Sequence, residues 1–249
     1  MRYTASIAAI LTVAFLVFPA VAGAQGVDYG PDNEDWNGLS EFISVAESEG
    51  MSVETADTID YAELDPDSDV IVLIHPKSPI DVSNLASFVV DGGHVLLADD
   101  YGAADGFLDR LEITRLQVRM GSLPHDRYVR DNPALPIFEI EGRHPLLRGV
   151  ETVVGNHPTV LSNVGGPVVA FQGGGGAVYD MNLGEGKVVV MGDPSMLINH
   201  MLEVADNRVL ASNTVSYLCE GRQPCGGRLV IGSFDQVGSY DQGEEDDSD

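Results

Sequence analysis

The amino-acid sequence predicts an α/β fold: a mostly parallel, doubly wound sheet with helices on both faces, closed by a C-terminal hairpin and helix. Three observations predict it. Residues 70–74 form a β-rich apolar run bounded by Asp69 and His75-Pro76, which suits a central strand buried on both faces. The periodic segments follow the order helix, strand, strand, helix, strand, which implies right-handed crossovers and parallel pairing. Residues 184–218 read as one unit, in which the apolar run 188–191 empties into Gly192-Asp193-Pro194-Ser195 before a helical pattern resumes. Ligands of open α/β sheets bind at such carboxyl ends of strands.

Each element has its own signal. Trp36, Leu39, Phe42, Ile43 and Ala46 stand at helical spacing and Gly50 stops them, so a helix is expected over 35–49 and a short strand over 51–55. Asp81 can cap a helix whose inner face is Val82, Leu85, Phe88 and Val89, ending at Gly92-Gly93. The next strand is 94–98 and the next helix 102–111. Residues 121–163 lack periodicity and predict loops and short strands. Strand character returns at 168–171, 177–181 and 188–191, with 173–176 and 184–186 as turns. Asp206-Asn207 then opens a helix with Leu210, Ala211, Thr214, Tyr217 and Leu218 on one side.

Composition sets the domain plan. Residues 1–24 read as a secretory signal, with Arg2, an apolar run over 7–18 and the small-residue site Ala22-Gly23-Ala24; a retained anchor is the competing reading. Residues 25–220 form the α/β domain, 221–240 a C-terminal extension, and 241–249 an acidic tail expected to be disordered. Export places the chain outside the cytoplasm, with no span after cleavage, where Cys219 and Cys225 pair as a small disulfide loop. The net charge is -26, one unit more negative once Arg2 leaves, so nucleic acid is a poor partner. Fourteen Asp and Glu accumulate between Asp28 and Asp69 without a Lys or Arg, which a high-salt habitat would screen.

Three stretches carry a resemblance: 29–42, an Asn/Asp-rich entry into a helix; 70–99, with IVLIHP and FVVDGGHVLLADD; and GKVVVMGDPSMLINHMLEVADN, the most specific. Together they resemble the domain of unknown function (DUF) 4350 family, a branch of the class I glutamine amidotransferase-like, flavodoxin-like fold. Similar domains occur in gliding-motility and intraflagellar-transport proteins, which implies scaffold or sugar-binding roles by fold analogy. Amidotransferases carry a nucleophilic Cys at a turn after a central strand. The comparable turn here is Asp99-Asp100-Tyr101-Gly102, so a Cys-His mechanism has no nucleophile.

The polar candidates have bland readings beside sharp ones. Asp193 and Ser195, with Asn199, Asp206 and Asn207 nearby, could meet a polar ligand, yet Asp193 before Pro194 is a good helix start and Asp206 can cap the helix that follows. Of Asp99 and Asp100, one is expected to cap a helix and the other to face solvent. The six histidines lack zinc-site spacing and three precede Pro, so no metal or other cofactor is expected. Glycines 173–176 lack a following Lys-Ser/Thr and read as a hairpin loop, and no G-x-S-x-G elbow occurs. The leading expectation is a non-catalytic exported domain that binds a partner protein or small polar ligand at the carboxyl edge of its sheet. A hydrolase of sugars or esters using Asp99, Asp193 or Asp206 is the rival, and a structural module of a surface or secretion assembly the third reading.

Overall fold

A computed structural model describes residues 27–56, 58–116, 126–140, 142–222 and 224–231. The expected signal at 1–24 and acidic tail at 241–249 lie outside the described residues. The elements are α1 (Ser40–Ser48), β1 (Met51–Ala56), β2 (Asp69–Ile74), α2 (Val82–Val90), β3 (His94–Ala98), α3 (Asp105–Arg110), β4 (Thr114–Leu116), β5 (Ile137–Glu139), β6 (Thr152–Val154), β7 (Val160–Ser162), β8 (Val169–Ala170), β9 (Gly176–Leu183), β10 (Gly186–Met191), α4 (Asn199–Leu202), α5 (Asn207–Leu218) and β11 (Cys225–Ile231).

The fold is mixed α/β around a central, mostly parallel sheet in the order β1-β11-β2-β3-β10-β9-β7-β4, with β8 on β9. The first five strands in that order run parallel; β9, β8, β7 and β4 join antiparallel. Strand side chains alternate between two cores, as the period of two requires. Ile71, Leu73, Val95, Leu97, Val188 and Val190 face α2 and α3. Val70, Val72, Ile74, Leu96, Val189 and Met191 face α1, α4 and α5. The chain moves one way from β2 to β3 and the other way from β10 to β11, and crossovers of one hand then require α2 and α5 on opposite faces.

Four expectations need correction. The helix over 35–49 begins only at Ser40, because Asn33 and Asp35 organise turns that consume residues 33–38 and leave Trp36 57% exposed. The helix over 102–111 shortens to α3, since the turn after β3 occupies Gly102 to Ala104. The strand over 168–171 is only two residues long. Residues 225–231, placed in an extension beyond the domain, are a central strand paired to both β1 and β2. Its sequence, CGGRLVI, hides this because close neighbours demand glycine: a Cβ at Gly226 would overlap the Asp69 carboxylate, and one at Gly227 the Met51 sulfur. Cys219 and Cys225 are disulfide-bonded, joining α5 to this strand.

Candidate functional site

Three neighbouring parallel strands end level with one another. Ile74 lies opposite Ala98, and Ala98 opposite Met191, so His75, Asp99 and Gly192 emerge side by side. The loop after β3 leads to Phe107 and Leu108 in one core, whereas the loop after β10 leads to Met196, Leu197 and Met201 in the other. Adjacent strands whose loops leave toward opposite faces open a crevice between them, the topological switch point of such sheets.

Asp99 and Asp193 flank this switch point, one following β3 and the other following β10. Both are fully buried. Asp99 Oδ1 accepts from the Gly102 N–H at 2.7 Å, and Oδ2 accepts from the Ala104 N–H at 3.1 Å and pairs with Arg115. Burial raises the Asp99 pKa, outweighing the opposing pull of the Arg115 guanidinium. Asp193 caps the turn Pro194–Leu197 through the Ser195 N–H at 3.0 Å, as the Asp-Pro pair predicts, and also accepts from the Asn156 N–H at 2.5 Å. Burial, helped by the Asp100 charge, pushes its pKa up to about 8.

Asp100 and His75 lie beside Asp99, at the ends of β3 and β2. The expectation that one of the Asp99-Asp100 pair faces solvent fails: Asp100 is only 9% exposed, because its Oδ1 accepts from its neighbour's N–H, at Tyr101, at 2.7 Å and meets His75 Nδ1 at 3.1 Å. His75 sits at φ +46°, a left-handed conformation costly for an L-residue, directly after β2. Its side chain is 24% exposed, and the hydrogen bond to Asp100 raises its pKa, with the Asp99 charge adding. The Tyr29 ring leans over this imidazole at 5.4 Å between centroids, and its hydroxyl meets Ser195 Oγ at 3.1 Å. Burial raises the Tyr29 pKa, so the phenol stays protonated. Tyr101, 69% exposed, borders an adjoining open groove of about 770 Å³ whose wall includes Gly102, Asp105, Leu108, Arg115 and Thr159.

The structure therefore gathers Asp99, Asp100, Asp193 and Ser195, and leaves Asn199, Asp206 and Asn207 elsewhere. Asn199 Oδ1 accepts from the Glu41 N–H while its amide nitrogen donates to the carbonyls of Asn33 and Asp35, which ties α4 to the start of α1. Asp206 does not cap α5 with its side chain, because its carboxylate accepts from the N–H groups of Glu151 and Thr152 instead. Asn207 accepts from the Val154 N–H and donates to the Val154 and Met201 carbonyls. The residues that sequence reasoning missed are His75, Tyr29, Asn156 and Arg115. Only His75 carried a signal, as a polar residue between a fully apolar strand and Pro76. Where metal binding is concerned, His75, Asp99 and Asp100 place donor atoms within 4.8 Å of one another.

This crevice can be set beside known proteins. The sequence profile of DUF4350, a domain of unknown function, matches residues 31–215. The chain belongs to the DUF4350 family. No curated protein matches it in sequence. Among solved structures, this DUF4350 chain is similar to the mmIFT52 N-terminal domain, with TM-score 0.50 and 16% identity over 60% of this chain and 76% of that one. That likeness is one of fold. A β-galactosidase from Bacillus circulans sp. alkalophilus matches at TM-score 0.45 and 11% identity over 73% of this chain and 27% of the enzyme. An exo-β-1,4-mannosidase from Opitutaceae bacterium strain TAV5 matches at TM-score 0.45 and 12% identity over 77% of this chain and 33% of the enzyme. The DUF4350 chain thus spans about a third or less of either enzyme's length.

Proposed function

We propose that this DUF4350 chain is an exported, non-catalytic domain of the amidotransferase-like, flavodoxin-like kind that binds a small polar ligand at the switch point between β3 and β10. One observation carries the reading: the buried carboxylates of Asp99 and Asp193 accept from backbone N–H groups that shape the loops, while Asp100 and His75 are bonded to each other beside Asp99, at the ends of β3 and β2. Both cysteines of the chain are in the disulfide, so the crevice has no thiol nucleophile. Of the three carboxylates of the rival hydrolase reading, Asp206 is bonded to the Glu151 and Thr152 N–H groups at β6 and so does not join Asp99 and Asp193 at the switch point. The disulfide and the leader-like start support export, and no described helix is long and apolar enough to cross a membrane.

The test is thermal unfolding of the full chain against panels of monosaccharides, amino acids and short-chain carboxylic acids. At least one class should raise the midpoint saturably in the natural chain and not in Asp100→Ala. Flat midpoints across every panel would sink the small-ligand reading.

A further inference from the structure

We propose that the crevice holds a divalent transition-metal ion of the zinc or manganese class, bound by His75, Asp99 and Asp100. The inference rests on reading the crevice as a ligand site and names what anchors the ligand there. His75 Nδ1 stands 3.1 Å from Asp100 Oδ1 and 3.7 Å from Asp99 Oδ1. Ligand atoms about 2.1 Å from a common ion are separated by about 3.0 Å at adjacent octahedral corners and about 3.4 Å at tetrahedral ones, so the 3.1 Å pair fits neighbouring corners as it stands and the 3.7 Å pair has to close by about 0.3 Å on binding. An imidazole with two carboxylates suits zinc, manganese or iron(II), whereas calcium and magnesium favour all-oxygen sets.

The surroundings fit that assignment. Asp99 is fixed by Arg115 and the Ala104 N–H on Oδ2, which turns Oδ1 toward His75. Outer contacts of this sort orient metal-binding carboxylates. The Gly102 N–H shares Oδ1 and leaves that oxygen a second lone pair. The left-handed backbone at His75 and the Tyr29 ring against its imidazole hold the ring where Nδ1 meets both carboxylates. The Asp99 and Asp100 carboxylates are both buried beside His75, with the Arg115 guanidinium on Asp99 Oδ2. A cation would offset these two neighbouring carboxylates and take the place of the proton His75 Nδ1 otherwise shares with Asp100.

The test is calorimetric titration of the chelator-treated full chain with zinc chloride and manganese chloride. Millimolar magnesium chloride and 0.5 M sodium chloride are included to suppress binding to the acidic surface. One saturable site per chain is expected. His75→Ala and Asp100→Asn should each weaken it at least tenfold, while Glu203→Gln, at an exposed carboxylate, leaves it unchanged. Cobalt(II) loading of the natural chain should give visible absorption bands that change with pH as the imidazole protonates, a readout independent of whether a variant folds. Multiple weak sites that persist in both variants, or cobalt spectra identical to the aqueous ion, would overturn the metal. An organic ligand that still raises the unfolding midpoint in excess chelator would overturn the metal alone and leave the crevice as a ligand site. If neither metal nor organic ligand binds, both readings fall together.

Discussion

The switch point and the junction between α4 and α5 are built from the same residue types, and they use them in opposite ways. Asp193 and Asp206 each precede a helical turn and each accept two backbone N–H groups. Asp193 is fully buried and its carboxyl titrates above the ordinary range; Asp206 lies near solvent and its carboxyl is lowered by the Glu151 and Thr152 N–H groups. At the junction every polar atom of Asn207 used in the fold meets backbone, so nothing remains for a ligand. At the switch point Asp100 and His75 are bonded to each other, a contact an incoming ligand can exchange. Among equal polar clusters, the binding candidate is the one whose side chains bond to side chains at a strand edge.

The largest effect should come from the junction. Asn207→Ala strips the partner from the buried Val154 N–H and from two carbonyls, and unsatisfied buried groups of this kind cost about 3 kcal/mol together; urea unfolding would show it. A loss under about 1 kcal/mol would mean that water or rearrangement replaces the amide. Next come two opposite pH dependences. The Asp193 pKa is raised from 3.8 to about 8, so its most favourable contribution holds below the lower value and is lost as pH climbs through the window. Asp193→Asn should therefore flatten the fall in unfolding free energy between pH 5 and pH 9. The Asp206 pKa is lowered from 3.8, so its contribution is complete above that value and is lost as pH falls through the folded one. Asp206→Ala should cost about 1 kcal/mol at pH 7 and much less at acid pH, in line with two partly exposed hydrogen bonds. Matching slopes for the two variants would erase the contrast. The smallest effect is that of salt: the unfolding midpoint should rise from dilute buffer to 1 M sodium chloride, as screening to about 3 Å relieves repulsion in a chain of net charge -26.

The parallel centre of the sheet was legible because burial on both faces writes a continuous apolar run, as in β2, β3 and β10. The caps at Asp81 and Asp193 were legible for a local reason, since the acceptor and its N–H lie within three residues. Strand β11 was not, because two of its residues are glycines set by neighbours distant in sequence. Trp36 misled by its spacing, which matches a helix that its own turn residues prevent. His75 was hidden for the same reason as β11: it precedes Pro76 like a turn residue, and its partners arrive 24 and 25 positions later through strand register.

The late position of β11 has a consequence for how the molecule is made. Strand β1 bonds to the sheet through β11 among the described residues, so the first strand in the chain has no neighbour until the last one is delivered. Contacts of such long sequence separation form slowly, after shorter loops have closed. The edge at β1 is consequently the final seam of assembly, and a chain cut before Cys225 would carry β1 with no ladder to join.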